Sequence, residues 1–382
     1  MQRSPRSLIT IDLDAVRANI RTLRGRLEPV CGFFAAVKAD AYGHGMVEVA
    51  RAAAKAGAVG LAVATAEEAV VLRDSGCTAR ILVMGPLYGL DQCLEMATRG
   101  VEFAVVAEDM VGMLRALRGT EVRAMVHLKV DSGMNRQGLL PRQVEWFLEA
   151  VRGLPEVQVR GVMTHFACAP EDPAVVEEQL RRFRPCVERV RSEWPEAEAH
   201  AANSAATILY PASHLSFVRC GIAVYGMSPF QAVAEEEGLK PALSWTSVVA
   251  LVKDAPAGEG VGYSHTYRTP TARKIGLVPV GYADGVSRAL SNRGQVLIGG
   301  RRYPMVGRVS MDSFGIDLGE ETLVRPGDAV TLIGRDGPEC LTAEDVAAWV
   351  GTINYEITCG IRLARAERRF VGAADSEGAT QA

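Results

Sequence analysis

The sequence predicts an α/β protein: an N-terminal (β/α)8 TIM-type barrel followed by a C-terminal, mostly β domain. Three observations point there. Short apolar runs, eight in all, alternate with amphipathic stretches over roughly the first 220 residues, which is the rhythm of a barrel built from βα units. After Gly226 the texture shifts to β-branched alternation with few helical periods. At 382 residues the chain exceeds what one ordinary core organises, so two domains are expected. A doubly wound open sheet gives a similar alternation, and the pattern alone leaves that alternative open.

The expected barrel domain spans 8–230. Its strands fall at 33–37, 59–64, 81–84, 102–106, 123–130, 159–164, 198–202 and 217–219. Between them, Val16, Ile20, Leu23 and Leu27 recur at helical spacing, with Asp12 or Asp14 placed to cap that helix. Segments 46–56, 66–75, 111–118, 144–154 and 175–194 also read as helices. The acidic stretch 230–239 serves as a linker. The second domain, 240–370, carries strands at 243–252, 274–280, 295–298, 303–309, 313–316 and 329–333. Gly299 and Gly300 sit between two of these as a hairpin turn, and 344–350 is the one clear helix there. The tail, 371–382, is small and polar and is expected to be disordered.

Composition narrows the function. Hydrophobic residues make up 48% and charged residues 23%, the balance of a globular enzyme. A formal charge of −3 gives no electrostatic reason to expect nucleic acid or an anionic membrane as partner. No apolar run is long enough to span a bilayer, and Asp12 and Asp14 break the stretch that a secretory signal would need, so a cytoplasmic location is expected. None of the eight cysteines forms a C-x-x-C pair, and no Cys/His cluster has zinc spacing, so reduced thiols and no metal are expected. Gly43-His44-Gly45 is too short to count as a nucleotide fingerprint.

In a barrel the active site lies at the C-terminal ends of the strands. Lys38 follows the first strand. Lys129 lies at the end of the fifth and Arg136 beyond it, His165 follows the sixth, Asn203 and Ser204 the seventh, and Arg219, Gly221 and Ile222 end or follow the eighth. Any of these alone reads as a surface charge or a satisfied polar group; together they converge on one rim. A lysine held in a pocket can form a Schiff base. Ser204 and the Gly221 and Ile222 backbone lie where barrels bind phosphate through main-chain N–H groups. A lysine across the barrel mouth from a phosphate site is what pyridoxal phosphate requires.

The motifs around these residues resemble those of the alanine racemases, fold-type III pyridoxal-phosphate enzymes. Val37-Lys38-Ala39-Asp40-Ala41-Tyr42-Gly43-His44-Gly45 looks like their lysine motif. Leu128-Lys129-Val130-Asp131-Ser132-Gly133-Met134-Asn135-Arg136, Thr164-His165-Phe166-Ala167 and Asn203-Ser204-Ala205-Ala206-Thr207 match as well. In the second domain Gly281-Tyr282-Ala283-Asp284-Gly285, Gly307-Arg308-Val309-Ser310-Met311-Asp312 and Ile353-Asn354-Tyr355-Glu356 come in the same order, so the resemblance spans about residues 10–370.

The resemblance implies interconversion of L- and D-alanine, supplying D-alanine for peptidoglycan, by two-base proton transfer at Cα of a pyridoxal 5′-phosphate external aldimine. Lys38 would hold the cofactor and act as one base, and Tyr263 as the other. An unperturbed tyrosine titrates near ~10, so His165 and Arg219 would assist it. Arg219 would face the pyridine nitrogen; a guanidinium cannot accept a proton, so that nitrogen stays unprotonated. Arg136 would bind the substrate carboxylate and the cofactor's ring oxygen, and His165 would also belong to the cofactor site. Lys129 matches a position that is often carbamylated, with a plain salt-bridged lysine as the alternative. Tyr42, Asn203, Ser204, Gly221, Ile222 and Tyr355 would hold the cofactor. Met311, Tyr263 and Tyr282 would contact the substrate, and Arg288 and Arg308 would line its approach. A homodimer with sites shared between subunits is implied.

Two departures stand out: Cys220 where proline is usual, which predicts a looser turn and an oxidation-sensitive thiol, and Asp40 for asparagine. His44 is expected to support the Tyr42 loop and His127 to be a satisfied core histidine. The rival readings are a serine or broad-specificity racemase, a decarboxylase with a carboxylate in place of Arg219, and a non-catalytic cofactor carrier lacking the β domain.

Overall fold

A computed structural model describes residues 5–372 and divides them into two compact units. One is 16–224; the other joins the residues up to 15 to those from 225 onward. The first strand, β1 (Ser7–Asp12), is therefore not a barrel strand. It alternates buried and half-buried residues, the pattern of a strand with one face on a core.

The barrel unit contains β2 (Gly32–Ala36), β3 (Gly60–Val63), β4 (Arg80–Val83), β5 (Glu102–Val105), β6 (Ala124–Lys129), β7 (Val157–Met163), β8 (Glu198–His200) and β9 (Phe217–Cys220). All pair in parallel, in the order β8-β7-β6-β5-β4-β3-β2-β9. Ring closure between β9 and β8 rests on two backbone bonds, Ser216 N to Ala199 O and Arg219 N to Ala202 O, both 2.9 Å. The barrel reading thus holds over the open sheet, and each expected strand is found within two or three residues of its place.

Buried on both faces, these strands must be apolar throughout, which is why they stand out as runs. Helices Met46–Lys55, Ala66–Asp74, Asp109–Ala116, Val144–Val151 and Pro173–Arg191 occupy the expected segments. Ala66–Asp74 starts with a capping box, Thr65 accepting from Glu68 N while the Glu68 carboxylate accepts from Thr65 N. Helix Leu90–Thr98 was not expected, although its buried Cys93, Met96 and Ala97 match helical spacing. No helix among the described residues is long and apolar enough to cross a membrane.

The second unit contains β10 (Leu243–Val248), β11 (Leu251–Ala255), β12 (Gly260–Val261), β13 (Tyr267–Arg268), β14 (Arg273–Val278) and β15 (Gln295–Ile298). It continues with β16 (Arg301–Val306), β17 (Phe314–Asp317), β18 (Ala329–Asp336), β19 (Glu339–Leu341) and β20 (Glu367–Val371). The main sheet runs β11-β14-β17-β16-β15-β18-β10-β1-β20, with β19 paired to β18. The expected strand 243–252 is two strands, because Val249 N still donates to Asp328 O beside β18, whereas Ala250 N donates to Leu277 O on β14. The hairpin at Gly299 and Gly300 is as expected: both residues take positive φ (58° and 73°), as a two-residue turn between antiparallel strands demands.

Helix Ala343–Val350 is joined by a second, Asn354–Cys359, which is too short to show a period. The anticipated tail begins with the last residue of β20, and from residue 373 on it lies outside the described residues.

β1 lies inside this sheet, antiparallel to β10 and parallel to β20. Ile9 and Ile11 are fully buried among Trp245, Val278, Val296, Phe314, Ile316 and Val330. Ile9→Ala is expected to destabilise the β unit by about 2–5 kcal/mol through the cavity it leaves. Urea unfolding monitored by Trp245 fluorescence checks this, and a smaller loss would mean that β1 packs loosely.

Candidate functional site

Every barrel residue expected to bind the cofactor or do chemistry lies at or beyond the C-terminal end of a strand, whereas His127 sits inside β6. Lys38 comes two residues after β2, and the backbone just beyond it is unusual. Ala39, Asp40, Ala41 and Tyr42 all take left-handed backbone angles, with φ of 52°, 49°, 56° and 55°. Each non-glycine residue in this region costs roughly 1–2 kcal/mol, so neighbouring groups must hold the turn. The Glu68 carboxylate accepts from Ala39 N at 2.6 Å and from Ala64 N at 2.7 Å. Asp40 Oδ1 accepts from Met46 N at 2.7 Å, at the start of helix Met46–Lys55, and His44 Nδ1 donates to Tyr42 O at 3.0 Å.

An asparagine oxygen could do what Asp40 does, so that departure is a minor one. His44 supports the Tyr42 turn, as expected. The turn leaves Lys38 Nζ 6.0 Å above the Tyr42 ring. Tyr42 in turn is buried where Gly221 lacks a side chain: a Cβ on Gly221 would lie 2.2 Å from the phenol oxygen.

Ser204 starts helix Ser204–Leu209, and Asn203 caps it, with Oδ1 accepting from Ala206 N at 3.0 Å. Ser204 Oγ accepts from Gly221 N at 3.0 Å and Ala223 N at 3.4 Å, so the loops after β8 and β9 meet at one hydroxyl. Ile222 itself is buried, leaving only its backbone for a ligand.

Arg219 organises the centre. Its Nη2 donates to Thr164 O (2.8 Å), Ala201 O (3.2 Å) and His165 Nδ1 (3.3 Å), and its Nη1 donates to His200 Nδ1 (2.8 Å). Its Nε takes part in none of these bonds. Burial lowers this guanidinium to about 10, which still leaves it charged at neutral pH. Because arginine only donates, His165 must present a bare Nδ1 and carry its proton on Nε2. Burial, then the charges of Lys129, Arg219, Arg136 and Lys38, hold His165 well below the usual imidazole range and keep it neutral. Burial and the charges of Arg219 and Arg136 likewise lower Lys129 well below the usual amine range.

Asp131 is the carboxylate that opposes this charge at Lys129, and its Oδ1 already accepts from Gly133, Met134 and Asn135 N. Arg136 is exposed on the loop beyond β6. The mouth thus gathers four basic side chains, Lys38, Lys129, Arg136 and Arg219.

Three relevant residues were not found in the sequence: Gln179, His200 and Glu68. Gln179 is buried on helix Pro173–Arg191. Its Nε2 donates to His165 O at 3.0 Å and its Oε1 accepts from Ala167 N at 2.9 Å, clamping the His165 loop. Only its place as a polar residue on an apolar helical stripe could have flagged it. Cys220 departs from its expectation. It sits in β9 opposite Ala35, fully buried, its Sγ 3.3 Å from Thr207 Oγ1, and burial pushes the thiol up to about 12. Such a thiol stays protonated and unreactive, and the strand pairing holds the backbone that proline would otherwise fix.

In the β unit, Tyr263, Tyr282 and Met311 are 71%, 43% and 52% exposed. Tyr263 opens a tight turn in which Gly262, Ser264 and His265 have positive φ. Tyr282 and Met311 lie on zipped segments, with Tyr282 N to Ser310 O and Ala283 N to Met311 O both 3.0 Å. The buried Asp284 carboxylate clamps them, taking Gly281 N (2.9 Å), Arg6 (2.7 Å) and Arg365 (3.0 Å). Tyr355 is half-buried on Asn354–Cys359, which Asn354 ties to Ser228 O (2.9 Å) and Glu344 (2.8 Å). Arg308 comes directly after Gly307, and Arg288 begins the short turn Arg288–Leu290.

Residues 11–229 match the family described as alanine racemase, N-terminal domain, and residues 242–370 its C-terminal domain. The chain belongs to the alanine racemase family. It is 44% identical over 366 residues to the alanine racemase of Symbiobacterium thermophilum, covering 95% of this chain and 96% of that one. It is 42% identical to that of Mycobacterium bovis, over 92% and 93% of the two chains. Among solved structures, alanine racemase from D-cycloserine-producing Streptomyces lavendulae superposes with a TM-score of 0.90 at 39% identity, over 98% and 99% of the chains. The Bacillus anthracis enzyme with bound L-Ala-P gives 0.88 at 38%, over 97% and 96%.

Membership makes this chain a pyridoxal-phosphate-dependent isomerase that interconverts L- and D-alanine. The residues present fit that cofactor: the cationic surplus suits its anionic phosphate and the substrate carboxylate, and the Ser204–Gly221 junction suits a phosphate. Gly221→Ala is expected to drive Tyr42 from its seat and weaken cofactor affinity about tenfold or more, while the barrel folds; a tenfold loss is ~1.4 kcal/mol. Absorbance titration with pyridoxal phosphate checks this, and unchanged affinity would remove Tyr42 from the cofactor site.

Proposed function

We propose that Lys38 Nζ and Tyr263 Oη are the two groups that exchange a proton with Cα of alanine, one on each face. The arrangement of Arg219 carries this reading. Bound there, pyridoxal phosphate supplies an electron sink for the Cα–H bond. Arg219 supports an unprotonated pyridine nitrogen, since its guanidinium donates and does not accept. It also holds His165 neutral with the proton on Nε2, and that N–H can donate to a phenolate at Tyr263. The rim arginine Arg136 would take the substrate carboxylate, as would the Met311 backbone. Tyr42, Asn203, Ser204, Gly221, Ile222 and Tyr355 would hold the phosphate and its surroundings. Tyr282 would narrow the entrance, with Arg288 and Arg308 along the approach.

The exposure of Tyr263, Tyr282 and Met311 fits a second copy of the chain covering them, so this reading includes a homodimer with shared sites. It also includes a cytoplasmic location, which cysteines held as thiols rather than disulfides fit, and D-alanine as a product for peptidoglycan.

Lys38→Ala should abolish interconversion of the alanine enantiomers in a chiral assay. L-serine run alongside separates strict from broad specificity. Tyr263→Phe should lower turnover by about 100- to 10,000-fold, the range of one lost acid–base group. Exchange of the α-hydrogen with deuterated solvent should then fall more for one enantiomer than for the other; equal losses would sink the two-base assignment.

Lys129 is proposed to carry a carbamate. Its lowered proton affinity shifts it toward the neutral amine that the reaction needs. That nitrogen bonds to the carbon of carbon dioxide, releases its proton to solvent and becomes an anion able to orient Arg136. Isotopically labelled bicarbonate should give a carbamate resonance that is lost in Lys129→Arg; its absence from the wild type would leave Lys129 a plain amine.

A further inference from the structure

Arg219 has a second imidazole partner, and it leads away from the site. His200 Nδ1 accepts from Arg219, and its Nε2 lies 2.9 Å from His127 Nδ1. His127 Nε2 lies 2.8 Å from Glu102 Oε2. Arg80 then donates to both Glu102 oxygens, at 2.8 and 3.0 Å, and to both Glu198 oxygens, at 3.0 and 2.6 Å. Arg80, Glu102 and Glu198 are each the first residue of their strand, so the row descends from the barrel mouth to its opposite end.

Only one proton arrangement satisfies every member. Arg219 can only donate, so His200 Nδ1 is bare and its proton is on Nε2. That N–H donates to a bare His127 Nδ1, which places the His127 proton on Nε2, pointing at Glu102. A carboxylate only accepts, so the far end imposes the same direction as the near end. Burial pushes the Glu102 carboxyl up, but hydrogen bonds from His127 and Arg80 outweigh it and bring it to about 2, so it is ionised at neutral pH. Burial and the charge of Arg219 keep His200 well below the imidazole range.

The packing is built around this row. Both rings are fully buried. His200 stacks on Phe217 at 4.0 Å, Phe217 on Phe34 at 4.3 Å, and Arg80 lies 5.2 Å from the Phe34 ring. A Cβ on Gly161 would sit 2.3 Å from His127 Nδ1, and the β6–β7 register shifts at His127 to admit the ring.

We propose that His127 and Glu102 are positioning residues for the racemase site. The Glu102 carboxylate, acting through His127, locks His200 as the Nε2–H tautomer. A bare His200 Nδ1 then fixes the Arg219 guanidinium through Nη1, in the orientation in which Nη2 reaches Thr164 O, Ala201 O and His165 Nδ1. Were His200 protonated on Nδ1, it would oppose Arg219 donor to donor and turn the guanidinium. The proposal rests on the reading that Arg219 acts on the cofactor, and it adds two residues that touch neither cofactor nor substrate.

The first measurement is histidine-selective nitrogen NMR on the wild type, with and without cofactor. Both His127 and His200 should carry the proton on Nε2 alone. A proton on Nδ1 of either ring overturns the proposal, whatever the enzyme's activity. The second uses Glu102→Gln, which keeps an acceptor but can turn an N–H2 toward His127. His200 should lose its single tautomer, and kcat should fall about tenfold or more in both directions with KM for alanine nearly constant, a change of ~1.4 kcal/mol in barrel-borne stabilisation of the transition state.

Glu102→Asp, which keeps the charge, should recover the tautomer and part of kcat. If Glu102→Gln only lowers Tm, with kcat and the His200 tautomer unchanged, the row is a structural plug and the positioning role is wrong. Should that variant fail to fold, the wild-type tautomers and Glu102→Asp decide. Absence of alanine turnover in the wild type would instead strike the two-base reading, which the substrate-free tautomer measurement does not depend on.

Discussion

A guanidinium that can only donate, buried at the mouth of a barrel, sets the terms for most of its surroundings. Arg219 forces two imidazoles to turn bare nitrogens toward it and to remain neutral. It also places a charge where water cannot solvate it, and removing one partner from such a buried set typically costs about 3–5 kcal/mol. The fold answers with two main-chain carbonyls, Thr164 O and Ala201 O, and with a carboxylate reached through two rings. A carboxylate placed directly against Arg219 would have neutralised the mouth. Holding the anion at a distance keeps the mouth cationic, which a phosphorylated cofactor and an amino-acid carboxylate both need.

A similar constraint governs the lysine side of the mouth. Four consecutive left-handed residues are unfavourable, yet they turn the chain sharply enough to put Lys38 and Tyr42 on one wall. Glu68 does the holding, with one oxygen on its own helix start and the other on Ala39 N. Gly221 then matters for what it lacks, since any side chain there would displace the phenol that Lys38 overlooks.

Much of this was legible in the sequence. The eight barrel strands were, because parallel strands buried on both faces admit few polar residues. The rim residues were, because the sites of barrels lie where strands end. Each element that escaped has a physical reason. β1 and β20 are short strands whose partners lie at the other end of the chain, and β20 alternates charge with apolar residues in a way that a loop also can. The left-handed turn left no trace beyond Gly43 and Gly45, because alanine and tyrosine do not advertise positive φ. His127 read correctly as a satisfied core histidine. Its partners could not be read, since Arg80, Glu102, His127 and His200 sit on four different strands and meet only when the barrel closes. Cys220 read as a liability and is instead sealed within β9.

The position of β1 bears on how the chain is made. Ser7–Asp12 is synthesised before the whole barrel segment, yet Leu243–Val248 and Glu367–Val371, between which it pairs, are synthesised after it. At roughly 5–20 residues per second, the barrel segment has tens of seconds in which to fold while β1 waits with an unpaired apolar edge. The β sheet is sealed only once Glu367–Val371 has been made. During that interval the nascent chain carries an unpaired strand edge, which is open to pairing with other chains until its own partners arrive.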